Sequence, residues 1–537
     1  MPEQTDVSTS IVAYPDLYEA PIAELQACLE KGLFTSVDLV KAYLARIDEV
    51  NVKGPALNAI IENNPSALSQ AAGLDIEREI KGSRGPLHGI PILLKDNIAT
   101  LHSEGSFTCS DRRSTGSHAL VGSVVPRDAF IAAKLRAAGA ILLGKANQSE
   151  WANFRGQVPS GFSGRGGQAT CPYYPHVDPS GSSSGSGVAI AIGLAAGSLG
   201  TETDGSIIGP SSQNNLVGIK PTVGLTSRAG VIPISSHQDS AGPMCRSVAD
   251  VAVILSAIAG PDPLDEVTLS QPSLIPDYLQ ALNPNALRGV RLGVPRLFQE
   301  QDSDEHILAA FEASLDILRT LGAEIVDPAE FPNAKELQAS KSESIVLSTE
   351  FKIDVNKYLA GLVEVPTGVK NIADVITFNK EHADLELIPP YYEDQSQLIT
   401  SEATVADETY HAALAKNLEL GRTRGIDATL EKFKLDAIII HSNGFASTPA
   451  AIAGYPIITV PLGFYPSNMV VVPSTPAPVF NKGPGVPFGL SFLGTAYTEF
   501  QLISYAYAYE QATHVRLKQL AYPAAIPKTQ LVDIVGK

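Results

Sequence analysis

Two hydrophobic periods divide the chain. Between residues 21 and 79, Val37, Val40, Leu44 and Ile47 recur three or four apart, behind Thr35 and Asp38 at capping-box spacing. This predicts a helical N-terminal layer, 1–80, packed on the rest of the protein. From Gly89 the period shortens. Residues 89–94 and 140–143 read as strands with a helix over 131–138 between them, and 221–225 continues the same layer. Further strand signals fall at 290–294, 323–326, 435–440 and 488–494, and helical ones at 246–258, 304–321 and 499–511. Such alternation predicts an α/β fold: a large mixed central β-sheet covered by helices on both faces, in one compact domain whose main body is 81–537. The proline-rich piece 473–487 reads as a surface excursion, and no repeat has a solenoid period.

One stretch stands apart from both periods. Residues 178–210, DPSGSSSGSGVAIAIGLAAGSLGTETDGSIIGP, hold two glycine- and serine-rich turns around an uncharged run, 188–196. The run predicts a buried helix that keeps the turns at a fixed distance. Glycine turns adopt backbone angles closed to other residues, and their N–H groups can converge on a developing oxyanion. Their serines are then candidate nucleophiles. A serine needs a base, and the stretch holds no histidine. Lys95, at the end of the apolar run 89–94, is a candidate: a lysine held out of water loses stabilisation of its charge, and the neutral amine becomes a base. The competing reading is a lysine snorkelling from a strand end.

Composition narrows the partners. Of 537 residues 44% are apolar and 18% charged, which suits a globule with a large core. The net charge of −18 argues against nucleic acid or an anionic membrane as partner, since phosphate contacts need clustered Lys and Arg. Cys28, Cys109, Cys171 and Cys245 have no metal-ligand spacing and read as free thiols; no metal is expected. The acidic start and the lack of an apolar run near 20 residues predict a cytoplasmic protein. No dinucleotide or phosphate loop is complete, so no cofactor is expected. A homodimer stays open.

Lys95, the turn around Ser182, and the run 200–207, GTETDGSI, taken together resemble the amidase signature family, with 24 residues from Ser182 to Ser206. The resemblance runs from about Ile22 to the C-terminus. Residues 147–156, NQSEWANFRG, and 218–225, GIKPTVGL, are similar to the peptide amidases within it. The resemblance implies a catalytic triad in which Ser206 attacks an amide carbonyl. Ser182, behind a cis Gly181–Ser182 peptide, relays the proton to Lys95. It places the oxyanion hole at the N–H groups of Thr203, Asp204 and Gly205, and a variable substrate funnel at about 333–433. Trp151, Phe154, Arg155 and Ser183 are candidate substrate contacts; Trp151 and Phe154 equally suit the core, and Arg155 equally suits pairing with an acid. Relatives that bind a substrate carboxylate carry an arginine two or three residues after the nucleophile. Ile208 and Gly209 stand there, so the expected substrate is a neutral carboxamide, a C-terminal peptide amide or an aryl or alkyl amide.

Rival readings remain. Residues 181–185 also fit G-x-S-x-G with Ser183 as nucleophile, which would need an acid and one of His237, His382, His411 or His441. His88, His102, His118 and His176 read as loop histidines. The functional alternatives are a catalytically silent binding protein and an amidotransferase subunit.

Overall fold

Eleven strands form one twisted sheet in the computed structural model, which describes residues 14–101, 116–299 and 304–537. The acidic start, His102 and Cys109 lie outside the described residues. The strands are β1 (Ile60–Asn63), β2 (Pro91–Lys95), β3 (Ile141–Ala146), β4 (Gly197–Glu202), β5 (Val217–Lys220), β6 (Ser240–Cys245), β7 (Arg291–Gly293), β8 (Glu324–Val326), β9 (Ala437–His441), β10 (Ile457–Phe464) and β11 (Pro487–Leu493). Their order across the sheet is β1-β3-β2-β4-β6-β5-β10-β11-β9-β7-β8. β2 runs parallel to both β3 and β4, whereas β6 and β11 are antiparallel to their neighbours. The sheet is therefore mixed, as its sequence pattern predicts.

Every residue of β2, β3, β4, β6, β9 and β11 is buried. Strands covered on both faces read as continuous apolar runs, which is why 89–94 and 435–440 were legible. The cover comes from helices α1 (Ile22–Glu30), α2 (Ser36–Val50), α3 (Ala67–Lys81), α4 (Phe130–Ala137), α5 (Ser184–Ala191), α6 (Ile208–Gln213), α7 (Val248–Ile258), α8 (Glu305–Thr320), α9 (Ser342–Ala360), α10 (Thr448–Ala453) and α11 (Glu499–Thr513), with further helices between 334 and 433. Helix α2 begins at the capping box: Thr35 Oγ1 accepts from Asp38 N at 3.1 Å and Asp38 Oδ2 accepts from Thr35 N at 3.0 Å. Among the described residues, no helix is long and apolar enough to cross a membrane.

Three elements depart from the expectation. The apolar run 188–196 is not one helix. Helix α5 starts four residues earlier, at Ser184, and stops at Ala191; the chain turns at Gly193 (φ +69°), and the rest of the run leads into β4. That strand uses Gly200 to Glu202, residues expected in a turn. Residues 221–225 lie beyond the sheet, whose strand is β5 just before them. β6 carries Gly242 and Pro243, which hide a strand pattern, and it fits only because an added Cβ at Gly242 would lie 2.0 Å from the Ile219 carbonyl oxygen. The N-terminal layer also gives the sheet an edge strand: β1 pairs antiparallel with β3.

Candidate active site

Lys95 is the last residue of β2 and is fully buried, as is Ser182 at the head of α5. Its Nζ lies 2.7 Å from Ser182 Oγ, 2.9 Å from Thr201 Oγ1 and 3.1 Å from the Thr201 carbonyl oxygen. Burial pulls the ammonium pKa down to about 7, against a smaller upward pull from the Asp239 and Glu202 carboxylates. A neutral amine has two N–H donors and one lone pair. Thr201 offers two acceptors, which leaves the lone pair for the Ser182 hydroxyl. The strand-end lysine thus points inward and does not snorkel.

The Gly181–Ser182 peptide is cis. The Ser182 carbonyl accepts from Ser149 N at 3.1 Å, and the next N–H, of Ser183, donates to the Ser206 carbonyl at 3.2 Å. That bond ties the two glycine–serine turns to each other. Ser206 retains 7% exposure while Lys95 and Ser182 have none, so of the three it alone has any surface open to solvent. Gly205, with φ +78°, turns the chain just before it.

Glu202 fixes the turn from below. Its Oε2 accepts from Ile207 N at 2.6 Å and Ile208 N at 2.8 Å, at the start of α6. Thr203 is held from the side, its Oγ1 donating at 2.6 Å to Asp239, whose other oxygen accepts from Ile234 N and Ser235 N. Burial lifts the Asp239 pKa to about 6 despite these donors. Asp204 accepts from Ser447 Oγ at 2.5 Å and Thr448 Oγ1 at 2.7 Å, which binds the turn to α10. It also faces Glu343 on α9. Burial, then the Asp204 charge, holds the Glu343 carboxyl well above the usual range, and burial raises Asp204 as well. The N–H groups of Asp204 and Gly205 donate to no acceptor among the described residues and remain available.

The remaining candidate contacts lie elsewhere. Trp151 is in the core, edge-on to Phe351, and Phe154 packs on the same ring at 4.9 Å. Arg155 is fully buried: it pairs with Glu150 at 3.2 Å and donates to the carbonyls of Glu386, Tyr392 and Asp394. It fastens the segment 386–394 to the body, with four of its five N–H donors spent there and on Glu150. Ser183 Oγ is spent on Thr201, 3.1 Å from its carbonyl and 3.3 Å from its N–H. The G-x-S-x-G reading fails there, because that hydroxyl meets backbone and no histidine. His237 instead pairs with Glu350 at 2.5 Å.

Sequence reasoning missed Asp239, Glu343, Ser447 and Thr448 as supports of the turn, and the roles of Thr201 and Glu202 inside it. For Glu202 a signal existed, an acid just ahead of a helix start. For the distant residues there was none.

The Amidase family pattern matches residues 38–503. The chain belongs to the amidase family. This amidase is 43% identical over 510 residues to a protein of Arabidopsis thaliana described as a probable amidase, with 93% of this chain and 91% of that one covered. It is 32% identical over 507 residues to a subunit of the glutamyl-tRNA(Gln) amidotransferase of Geobacter metallireducens, covering 93% and 98%. Among solved structures, the native peptide amidase from Stenotrophomonas maltophilia superposes with a TM-score of 0.82 at 40% identity, covering 95% of this amidase and 99% of that chain. The sheet described above is the one those structures share.

Proposed function

We propose that this amidase hydrolyses a neutral carboxamide to a carboxylate and ammonia through an acyl-enzyme on Ser206. The observation that carries the reading is Lys95 Nζ at 2.7 Å from Ser182 Oγ, with the lysine pKa brought down to about 7. In this reading neutral Lys95 takes the proton of Ser182 as Ser182 takes that of Ser206. Ser206 Oγ then adds to the amide carbonyl. The N–H groups of Thr203, Asp204 and Gly205 receive the oxyanion. Such donors are each worth on the order of 100- to 1000-fold in rate. The proton returns through Ser182 to the leaving nitrogen, the C–N bond breaks and ammonia departs. Water, deprotonated by the same relay, then releases the acid.

Likeness to the peptide amidase supports C-terminal peptide amides as the leading substrates, with aryl and alkyl amides next. Ile208, nearly fully buried, and Gly209 bring no cation beside Ser206 for a substrate carboxylate. The test is ammonia release from C-terminally amidated dipeptides, benzamide and a carboxylate-bearing amide, by wild type and Ser206→Ala. Release from neutral amides, abolished by the substitution, is expected. Release only from the carboxylate-bearing amide, or release that survives Ser206→Ala, would overturn the reading. Release only in the presence of charged tRNA and a partner subunit would favour an amidotransferase role.

A further inference from the structure

A cavity of about 420 Å³ opens against the backbone of Gly181 and Gly205, the residues immediately before Ser182 and Ser206. Its volume suits a small ligand group. Apart from Ile208 its side chains are polar, among them Ser160, Ser212, Gln213, Asn443 and Asn481, and no Lys, Arg or His lines it among the described residues. Two carboxyls do. Asp204 is committed, with both oxygens taken by Ser447 and Thr448. Asp178 is not.

Asp178 is anchored by its backbone, N–H to the Phe480 carbonyl at 2.7 Å and carbonyl to Gln213 Nε2 at 3.3 Å. Its Oδ1 accepts one bond, from Ser180 N at 2.7 Å, and Oδ2 meets no donor among the described residues. Burial pushes its pKa up to about 7, because no cation offsets the loss of water. A half-buried carboxyl with one oxygen open to a cavity of amide and hydroxyl oxygens is set for a positively charged donor. Beside Asp178 the wall is tight: an added Cβ at Gly209 would come within 2.7 Å of Ser180 Oγ.

We propose that this cavity is a subsite for an alkylammonium group of the substrate, with Asp178 as its counter-ion and the neighbouring amide and hydroxyl oxygens as further acceptors. The inference rests on the reading that Ser206 is the nucleophile, since that places the cavity beside the scissile bond. A charge-assisted hydrogen bond shielded from bulk water favours the ammonium over an uncharged isostere. The same arrangement disfavours a carboxylate. The ammonium has two sources, the free α-amine of an amino-acid amide or the side chain of a basic residue in a longer amide.

Two substrate pairs separate the sources: leucinamide against N-acetyl-leucinamide, and N-acetyl-lysinamide against N-acetyl-norleucinamide. In one pair the cationic member is expected to have the higher kcat/KM, by on the order of 10- to 100-fold, the worth of one hydrogen bond to a charged group. Asp178→Asn should bring that ratio to about one, mainly through KM. Asp178→Glu, which keeps the charge, should retain part of it. Equal rates within both pairs, or a ratio that Asp178→Asn leaves intact, would overturn the proposal while leaving the nucleophile assignment standing. If wild type released ammonia from none of the four, the substrate reading itself would fail. Calorimetry of n-pentylammonium chloride with Ser206→Ala then decides the subsite. Binding that is lost in Ser206→Ala/Asp178→Asn supports it, and no binding, or binding unchanged by the second substitution, overturns it.

Discussion

Thr201 meets Lys95 with both of its oxygens, Oγ1 at 2.9 Å and the carbonyl at 3.1 Å from Nζ. The hydroxyl also accepts from Asn97 Nδ2 at 3.0 Å, so one threonine orients Lys95 and Asn97 together. Thr201→Val keeps the shape and removes Oγ1. An acceptor facing Nζ favours the ammonium, so its loss lowers the lysine pKa further. The ascending limb of kcat/KM against pH should move to lower pH, with kcat down on the order of tenfold because the amine is less well aimed. A limb that stays put would show that Thr201 does not act on the base.

In the wild type the same limb should rise through about pH 7. The base works only when neutral, so activity is absent below the pKa to which burial brings Lys95 and present above it. Lys95→Ala should lower kcat by on the order of 100- to 10,000-fold on the substrates that Ser206→Ala abolishes. Retention of most activity would return the search to a histidine relay.

Glu343 faces Asp204, and burial together with the Asp204 charge holds the Glu343 carboxyl well above its ordinary range. Glu343→Gln therefore replaces a neutral acid by a neutral amide and should change kcat little. Asp204→Asn removes the carboxylate that both Ser447 and Thr448 donate to. It should lower kcat on the order of tenfold or more, since the turn before Ser206 loses its tie to α10. Steady-state kinetics of the two variants side by side checks the order; the reverse order would place the charge on Glu343.

The roles of these residues show what was legible beforehand. Lys95, Ser182 and Ser206 could be singled out as candidates because glycine-rich turns at fixed spacing are local, and locality survives in a sequence. Asp239 lies 36 residues beyond Thr203 and Glu343 more than a hundred beyond Asp204; only the sheet and α9 bring them in. The helix at 188–196 was misplaced because an uncharged run has no polar face to mark its ends, and Gly193 ended it where periodicity could not. Arg155 sat in a motif beside aromatic residues and looked available for substrate. The acid it pairs with, Glu150, is five residues away and pairing with an acid was the other reading, but the carbonyls it also holds, 231 to 239 residues away, were invisible from there.

Arg155→Met should be a stability variant. Glu150 would be left as a buried charge without its partner, and three carbonyls would lose a donor. Breaking such a pair costs about 3–5 kcal/mol. A thermal melt should fall by several degrees, and if KM rose with no change in melting the residue would have a substrate role after all.

The pairing of β1 with β3 makes the N-terminal layer a guard against self-association. A chain begun after residue 64 would keep Lys95, Ser182 and Ser206 but bare the outer edge of β3, six consecutive buried residues with unpaired backbone groups. An edge of that kind recruits strands from other molecules, so such a chain should leave solution as aggregate before its chemistry could be measured.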